Sequence, residues 1–531
     1  MLSLPSSVMG RISKMKLGEI AGEVIFAGIE GPTLTEGERD VLREVAPGGF
    51  VLFRKNLVTL EGARSLCDDL TALMESKKGT RPFIATDQEG GAVTRLPPEA
   101  TQFPSMMSVG ASQRPMNAFK VATLMATELR AVGINMDFAP VVDINNNPDN
   151  PVIGTRSFWE DEKTVEQFST KFIGGMRQGR VLSVAKHFPG HGDTDVDSHR
   201  DLPVMKHDIK RLESVELVPF RRAISSGVDG IMVSHVALTR LDPEPTPASL
   251  SKNVVTGMLR RKLSFPGLIM TDSLTMRAVA DRFEVTEAAI KALEAGNDIV
   301  LTCGGVKMAQ EVHSALVAKA RSDRMFAKKL RRRAARVIAN KESKLRNFRK
   351  PSLSIVGCNS HVSEILRIVE GSVATVYDDG IVPIHERLRI AGFAAVNDRG
   401  LEDVIKEELQ AVFQPSQLIS YEEIAVGRSP TLGRARVADV CLVFTRDLHN
   451  NPGLVEAVNR IIGLKRRTVV IATNNPHDLR RIRRPAAYIV TYSPGRLSIR
   501  VAMRTISGDG RPSGAVLPSL RETAEVRSAA K

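Results

Sequence analysis

The stretch MNAFKVATLMATELRAVGINMDFAPVVD, residues 116–143, decides the fold. Its first part, 116–133, is amphipathic and helix-compatible; its second, INMDFAPVVD (134–143), is an apolar run with strand character. The same couplet recurs on both sides. Strand candidates precede it at EVIFAGI (23–29), GGFVLF (48–53) and PFIATD (82–87). Others follow at LSVAKHF (182–188), GIMVSH (230–235), GLIMTDS (267–273) and NDIVLTC (297–303). Each is followed by a helix-compatible segment, such as EGARSLCDDLTALMES after the second. Continuous apolar strands alternating with helices imply a parallel sheet covered on both faces. Eight such units within residues 1–340 predict a (β/α)8 TIM-type barrel, with an open doubly wound sheet as the alternative pattern.

The pattern breaks at KESKLRNFRKPS (341–352), which reads as a linker. Beyond it, strands at SLSIVG (352–357), ADVCLVFT (438–445), RTVVIAT (467–473) and AAYIVTY (486–492) alternate with helical segments. They predict a second, smaller α/β sandwich domain over 353–515. The polar, Ala-rich end, 516–531, reads as a flexible tail.

A chain of 531 residues with 42% hydrophobic and 25% charged side chains has material for two sizeable cores. The formal net charge of +14 comes partly in runs: RRKL (260–263), KKLRRRAAR (328–336) and LRRIRRP (479–485). They read as solvated helix faces. Aromatic residues are only 5% and no nucleic-acid-binding module is recognisable, so no nucleic-acid partner is expected. Cys67, Cys303, Cys358 and Cys441 form no CxxC pair and suggest neither a zinc ribbon nor a disulfide framework. The N-terminal segment lacks a continuous apolar run after its basic residues, and no stretch reaches the roughly 18 apolar residues of a membrane span. A cytoplasmic location and no membrane span are the expectation.

In such a barrel the reactive groups belong at the C-terminal strand ends. Asp87, Asp137, Lys186, His187, Ser234, His235 and Asp272 fall there. The stretch AKHFPGHGDTDVDSH (185–199) adds three histidines, several aspartates and Gly/Pro breaks that imply a long loop over the barrel mouth. His199 lies two residues after Asp197, a spacing that lets the carboxylate orient the imidazole for proton transfer near neutral pH. A divalent metal held by His187, His191 and His199, or a purely structural loop, are the competing readings. In LIMTDSLTM (268–276), Asp272 ends an apolar strand as a nucleophile, a ligand-binding group or a helix N-cap. ATDQEGGAVTRL (85–96) places Asp87 and Arg95 around two glycines that allow close backbone approach to a ligand. NPVIGTRSF (150–158) contributes Arg156, either at the mouth or as a surface arginine. His235 is a weaker candidate, as is Trp159, for stacking on a sugar.

Taken together, TDQEGGAVTRL, NMDFAPVVDIN, VIGTRSF, KHFPGHGDTDVDSH and IMTDSLTM resemble family 3 glycoside hydrolases, specifically their β-N-acetylglucosaminidase branch. The motifs span about residues 20–310, and the C-terminal region is similar, more loosely, to the second domain of longer members. The resemblance implies a retaining, exo-acting enzyme on muropeptides or chitooligosaccharides. It implies Asp272 as nucleophile, His199 as acid/base, Asp197 as its support, and Asp87, Arg95, Arg156, Lys186 and His187 as holders of an N-acetylglucosamine ring. It implies no metal and no organic cofactor. Ala92 departs from the branch, where a basic residue is common. The rival expectations are a family 3 β-glucosidase-like hydrolase, an N-acetylglucosaminide phosphorylase, and a non-catalytic sugar-binding regulator.

Overall fold

The computed structural model describes residues 5–529 apart from 243, 415 and 426–428. Eight parallel strands close into a barrel: β1 (Ile25–Gly28), β2 (Gly49–Val51), β3 (Phe83–Thr86), β4 (Met136–Asp137), β5 (Leu182–Phe188), β6 (Gly230–Val233), β7 (Leu268–Ser273) and β8 (Ile299–Thr302). Each pairs with its neighbours in chain order, and β8 closes on β1. Each apolar run of the sequence supplies one strand. The run at 134–143 forms a two-residue strand at Met136–Asp137, and beyond Pro140, which has no N–H to donate, its pairing with β5 resumes as a single bridge from Val141 to Lys186.

Alternating strand residues point inward and fill the barrel. Phe26, Phe83, Met136, Val184, Met232 and Met270 belong to one buried apolar cluster. Phe26 of β1 and Phe83 of β3 meet across β2 with ring centroids 5.8 Å apart. Gly49 of β2 makes room for them, since a Cβ there would lie 2.8 Å from the Phe26 ring.

Strands β9 (Ala374–Asp378), β10 (Ile390–Ala395), β11 (Gln417–Ile419), β12 (Val440–Thr445), β13 (Thr468–Ala472) and β14 (Ala487–Val490) form a second sheet. Its order is β9-β14-β13-β12-β10-β11, parallel except for β9. This is the expected smaller α/β domain, with three corrections to its parts. SLSIVG is not a strand: Leu353–Ile355 form a short 3-10 turn, capped by Ser352 Oγ, which accepts from Ser354 N at 3.3 Å. The expected linker begins inside a helix, Arg324–Lys344, whose Lys341 is buried under the barrel. The expected flexible tail is instead a helix, Pro518–Ala529, anchored by fully buried Leu517 and Leu520; residues 530 and 531 lie outside the described residues.

Two buried ion clusters stabilise the barrel from below and behind. Glu23 accepts from Lys341 Nζ and faces Lys78 Nζ, both at 2.7 Å. Burial pushes this carboxyl up, and the two ammonium groups outweigh it, holding it at about 2. Asp298, fully buried, gathers Arg260 at 2.5 Å, Arg336 at 3.1 Å and Arg333 at 3.7 Å. Three arginines of the basic runs therefore turn inward to one carboxylate and do not form a solvated face. Among the described residues no helix is long and apolar enough to cross a membrane.

Asp298→Ala leaves three mostly buried guanidinium groups without their counter-charge. Breaking such a cluster costs about 3–5 kcal/mol. The urea midpoint of the variant is expected to fall accordingly. A loss below about 1 kcal/mol, the scale of an exposed pair, would show that the arginines find water instead.

Candidate active site

The barrel mouth holds a cavity of about 530 Å³ lined by Asp87, Glu89, Arg95, Arg156, Lys186, His187, His199 and Asp272, with Phe53, Phe138 and Met276 among its apolar walls. Seven of the eight site residues expected from sequence line this one space. The eighth, Asp197, stands behind His199.

Its floor is a buried ion cluster. Lys186, near the end of β5, is 2% exposed and donates to Asp87 Oδ1 at 2.6 Å and Glu89 Oε1 at 2.7 Å. Arg156 Nε and Nη2 grip the two oxygens of Glu89, each at 2.8 Å. Burial opposes the charge on Lys186, and Asp87 and Glu89 outweigh it and raise its pKa. Burial likewise opposes ionisation of Glu89, and Arg156 and Lys186 hold its carboxyl well below the usual range. Glu89 was not anticipated; its only signal was a carboxylate beside the glycine pair.

Asp143 was also missed. It is fully buried behind the site and accepts from His187 Nδ1 at 2.6 Å, from His187 N at 3.1 Å and from His191 N at 2.8 Å. Arg156 Nη2 donates to His187 Nε2 at 3.2 Å. His187 therefore carries its proton on Nδ1, with the ring clamped between an anion and a cation.

The loop that carries Asp197 and His199 leaves β5 beside Ile144. At Gly192 a Cβ would lie 1.6 Å from the Ile144 carbonyl, so only glycine fits. Asn150 Nδ2 donates to the carbonyls of His191, Gly192 and Thr194 at 2.9–3.0 Å. Farther along the loop, Asp197 Oδ1 accepts from His199 N at 2.9 Å and His199 Nδ1 at 2.8 Å. The His199 ring is 62% exposed, and its bond to Asp197 is the main cause of a raised pKa. With Nδ1–H committed to Asp197, Nε2 is free to give or take a proton.

Asp272 occupies the end of β7, and its Oδ1 accepts from Ser273 N at 2.7 Å. It does not cap the next helix, Arg277–Ala280, whose N-cap is Met276. Burial pushes its carboxyl up; His235, His187, the Ser273 N–H and Lys186 outweigh that and hold it below the ordinary range. His235, fully buried, donates from Nε2 to the Ser273 carbonyl at 2.9 Å and faces Ser249 Oγ at 2.8 Å. It is a positioning residue behind Asp272.

The remaining candidates fall elsewhere. Trp159 is buried against Tyr492 of the second domain, 6.0 Å between centroids, and does not line the cavity. Ala92 is exposed beside Val93, which does line it. The histidines weighed as a metal set have other partners: His191 faces Thr194 Oγ1 and Ser198 Oγ at 2.7 and 3.0 Å. A different trio, Asp193, His207 and Glu216, has closely spaced ligand atoms, but the Arg211 guanidinium sits 3.6 Å from Asp193 and 3.1 Å from Glu216.

The chain is similar to known proteins in sequence and in fold. The glycosyl hydrolase family 3 N-terminal domain matches residues 14–339. The chain is 34% identical over 369 residues to beta-hexosaminidase A of Pseudoalteromonas piscicida, covering 65% of this chain and 61% of that relative. It is 33% identical over 297 residues to a beta-hexosaminidase of Stenotrophomonas maltophilia, covering 55% of this chain and 86% of the relative. The structure of a glycoside hydrolase family 3 β-N-acetylglucosaminidase from Paenibacillus superposes with a TM-score of 0.87 at 29% identity, over 94% of this chain and 98% of that one. With a family domain matched over most of its barrel, this chain belongs to glycosyl hydrolase family 3.

Proposed function

We propose that this protein is an exo-acting, retaining β-N-acetylglucosaminidase that removes terminal β-linked N-acetylglucosamine from muropeptides or chitooligosaccharides. The observation that carries the reading is one cavity lined by both an ionised carboxylate, Asp272, and an imidazole buttressed by a carboxylate, His199 on Asp197. The names of the hexosaminidase relatives support the sugar. The ion cluster of Asp87, Glu89, Arg156 and Lys186 presents charged acceptors and donors to sugar hydroxyls, and Arg95, whose Nε has no protein partner, adds another donor.

Asp272 attacks the anomeric carbon while His199 Nε2–H protonates the leaving glycosidic oxygen. The product alcohol departs and a covalent glycosyl–enzyme remains on Asp272. His199, now neutral, removes a proton from water. The resulting hydroxide attacks the same carbon and expels the Asp272 carboxylate, which restores the starting state. Both steps need only these groups; the scheme uses no metal or organic cofactor.

The substrate and nucleophile are tested together. Aryl β-N-acetylglucosaminide is expected to turn over far faster than aryl β-glucoside, with the same product in the presence of phosphate. A fluorinated N-acetylglucosaminyl substrate that stalls the second step should leave a mass adduct on the peptide carrying Asp272. Asp272→Asn should lose turnover of every substrate. His199→Ala should lose roughly 10²–10⁴-fold with poor leaving groups and much less with activated ones. An adduct on another residue, or a glucoside preference, would overturn the reading.

The pH profile tests the dyad separately. His199 must hold its proton for the first step, and its raised pKa keeps it protonated above the ordinary imidazole value of 6.5. With poor leaving groups, kcat/KM is therefore expected to fall only as pH rises through that raised value. Asp197→Asn removes the largest upward contribution and should move this alkaline limb to lower pH. An unmoved limb would mean that another group is the acid.

A further inference from the structure

Among the described residues the second domain sends none into the cavity, yet its carboxyl-terminal strand ends face the barrel mouth. Just beyond β13, Asn474 Oδ1 accepts from Thr155 Oγ1 at 2.9 Å. The Asn474 amide is itself fixed, because its Nδ2 donates to both oxygens of Asp447 at 3.0 and 3.1 Å. Asp447 follows β12 in the left-handed region, φ 52°, which its short polar side chain tolerates. Thr155 is 5% exposed and immediately precedes Arg156, the residue that grips Glu89 and His187.

Other bonds clasp the same barrel segment from the same side. Arg480 and Arg481 reach Asp149 at 3.1 and 3.3 Å. Trp159 packs on Tyr492, and Ser519 N donates to Glu160 at 3.0 Å. Between these anchors lies Asn150. Its Oδ1 accepts from Val152 N and Ile153 N at 3.0 and 2.7 Å, while its Nδ2 holds three carbonyls of the catalytic loop. The 149–160 segment thus touches the second domain on one side and, through Arg156 and Asn150, Glu89 and the 191–194 stretch on the other.

We infer that the second domain is a positioning element for the reaction: through the Asn474–Thr155 hydrogen bond it sets Arg156 for the sugar. Thr155 and Asn474 are positioning residues that touch no substrate. The inference rests on the reading of Arg156 as a sugar-holding group. Fixing a guanidinium by a bond made one residue away gives orientation that a free loop would have to acquire on binding, at an entropic cost.

The test uses the full-length protein and reads the bond from both ends. Thr155→Val keeps the shape and removes the donor. It is expected to raise KM for aryl β-N-acetylglucosaminide about three- to tenfold, the scale of one hydrogen bond. It should weaken binding of free N-acetylglucosamine by the same factor in calorimetry. The melting temperature should fall by no more than a few degrees, the scale of one lost hydrogen bond, and the alkaline limb set by His199 should stay in place. Thr155→Ser keeps the hydroxyl and should restore wild-type KM. Asn474→Leu should reproduce the valine variant, and the double variant should be no worse than the worse single one. If Asn474→Leu does not fold, the Thr155 pair still reads the same bond from the barrel side. Wild-type KM in folded Thr155→Val, or equal damage in Thr155→Ser, would overturn the inference. Arg156→Lys is the control: wild-type KM there would overturn the sugar-holding reading itself, and this inference with it.

Discussion

Everything at the barrel mouth stands on the burial of Lys186. An ammonium at 2% exposure on a β-strand loses its water and must find it replaced by carboxylates. Asp87 from the end of β3 and Glu89 two residues later supply two, at 2.6 and 2.7 Å. The two carboxylates together carry more charge than one lysine neutralises, and Arg156 closes the cluster with a bidentate grip on Glu89. Two cations against two anions leave the floor neutral overall, with strong local fields. Such a cluster is costly to disrupt, because removing one member leaves a buried charge unpaired, at about 3–5 kcal/mol. It therefore fixes where two strand ends and one distant loop must meet.

The loops follow from that constraint. Arg156 is drawn in by Glu89, and its Nη2 also meets His187, whose other nitrogen is held by Asp143. Asp143 in turn receives the His191 N–H, so the start of the catalytic loop is fixed by the same carboxylate that orients a sugar-facing imidazole. Asn150 carries the tie onward to Gly192 and Thr194. One chain of short polar contacts thus runs from the floor to the loop that carries His199, and every link on it is buried enough that a missing partner would be felt.

The sequence made the barrel legible because each strand is buried on both faces and so reads as an unbroken apolar run, as LSVAKHF and GLIMTDS do. Polar groups ending such runs had few structural uses, which made Asp87, Lys186, His187 and Asp272 visible. Glu89 and Asp143 were not, because their roles appear only when partners 67 and 44 residues away arrive. In the second domain, β9 carries half-exposed residues and β11 is a three-residue strand with only Ile419 buried, so neither shows the continuous burial that marked the barrel. SLSIVG looked like a strand by composition, but Gly357 adopts φ 66° hard against the Glu99 carbonyl, which ends the extended run. The terminal helix was obscured by its Ala-rich, polar character; Leu517 and Leu520 bury it against elements the sequence could not place beside it.

In the proposed mechanism, the same electrostatics explain why an imidazole suits the acid position better than a carboxyl group. A carboxylic acid remains protonated near neutrality only when burial or a like charge lifts its pKa by several units. The His199 ring is 62% exposed, so burial can lift nothing much there, and a carboxyl at that place would be ionised and would add repulsion beside Asp272. An imidazole starts near 6.5 and needs only a modest rise, which one hydrogen-bonded carboxylate supplies against the lowering effect of partial burial. Asp197 provides it from two residues away, inside the same loop, so the dyad needs no partner from the second domain. That separates the labour between the two halves of the chain. In the proposed mechanism, proton transfer is self-contained on the loop that carries Asp197 and His199, and the contribution left for the second domain is geometric, exerted on the segment that carries Arg156.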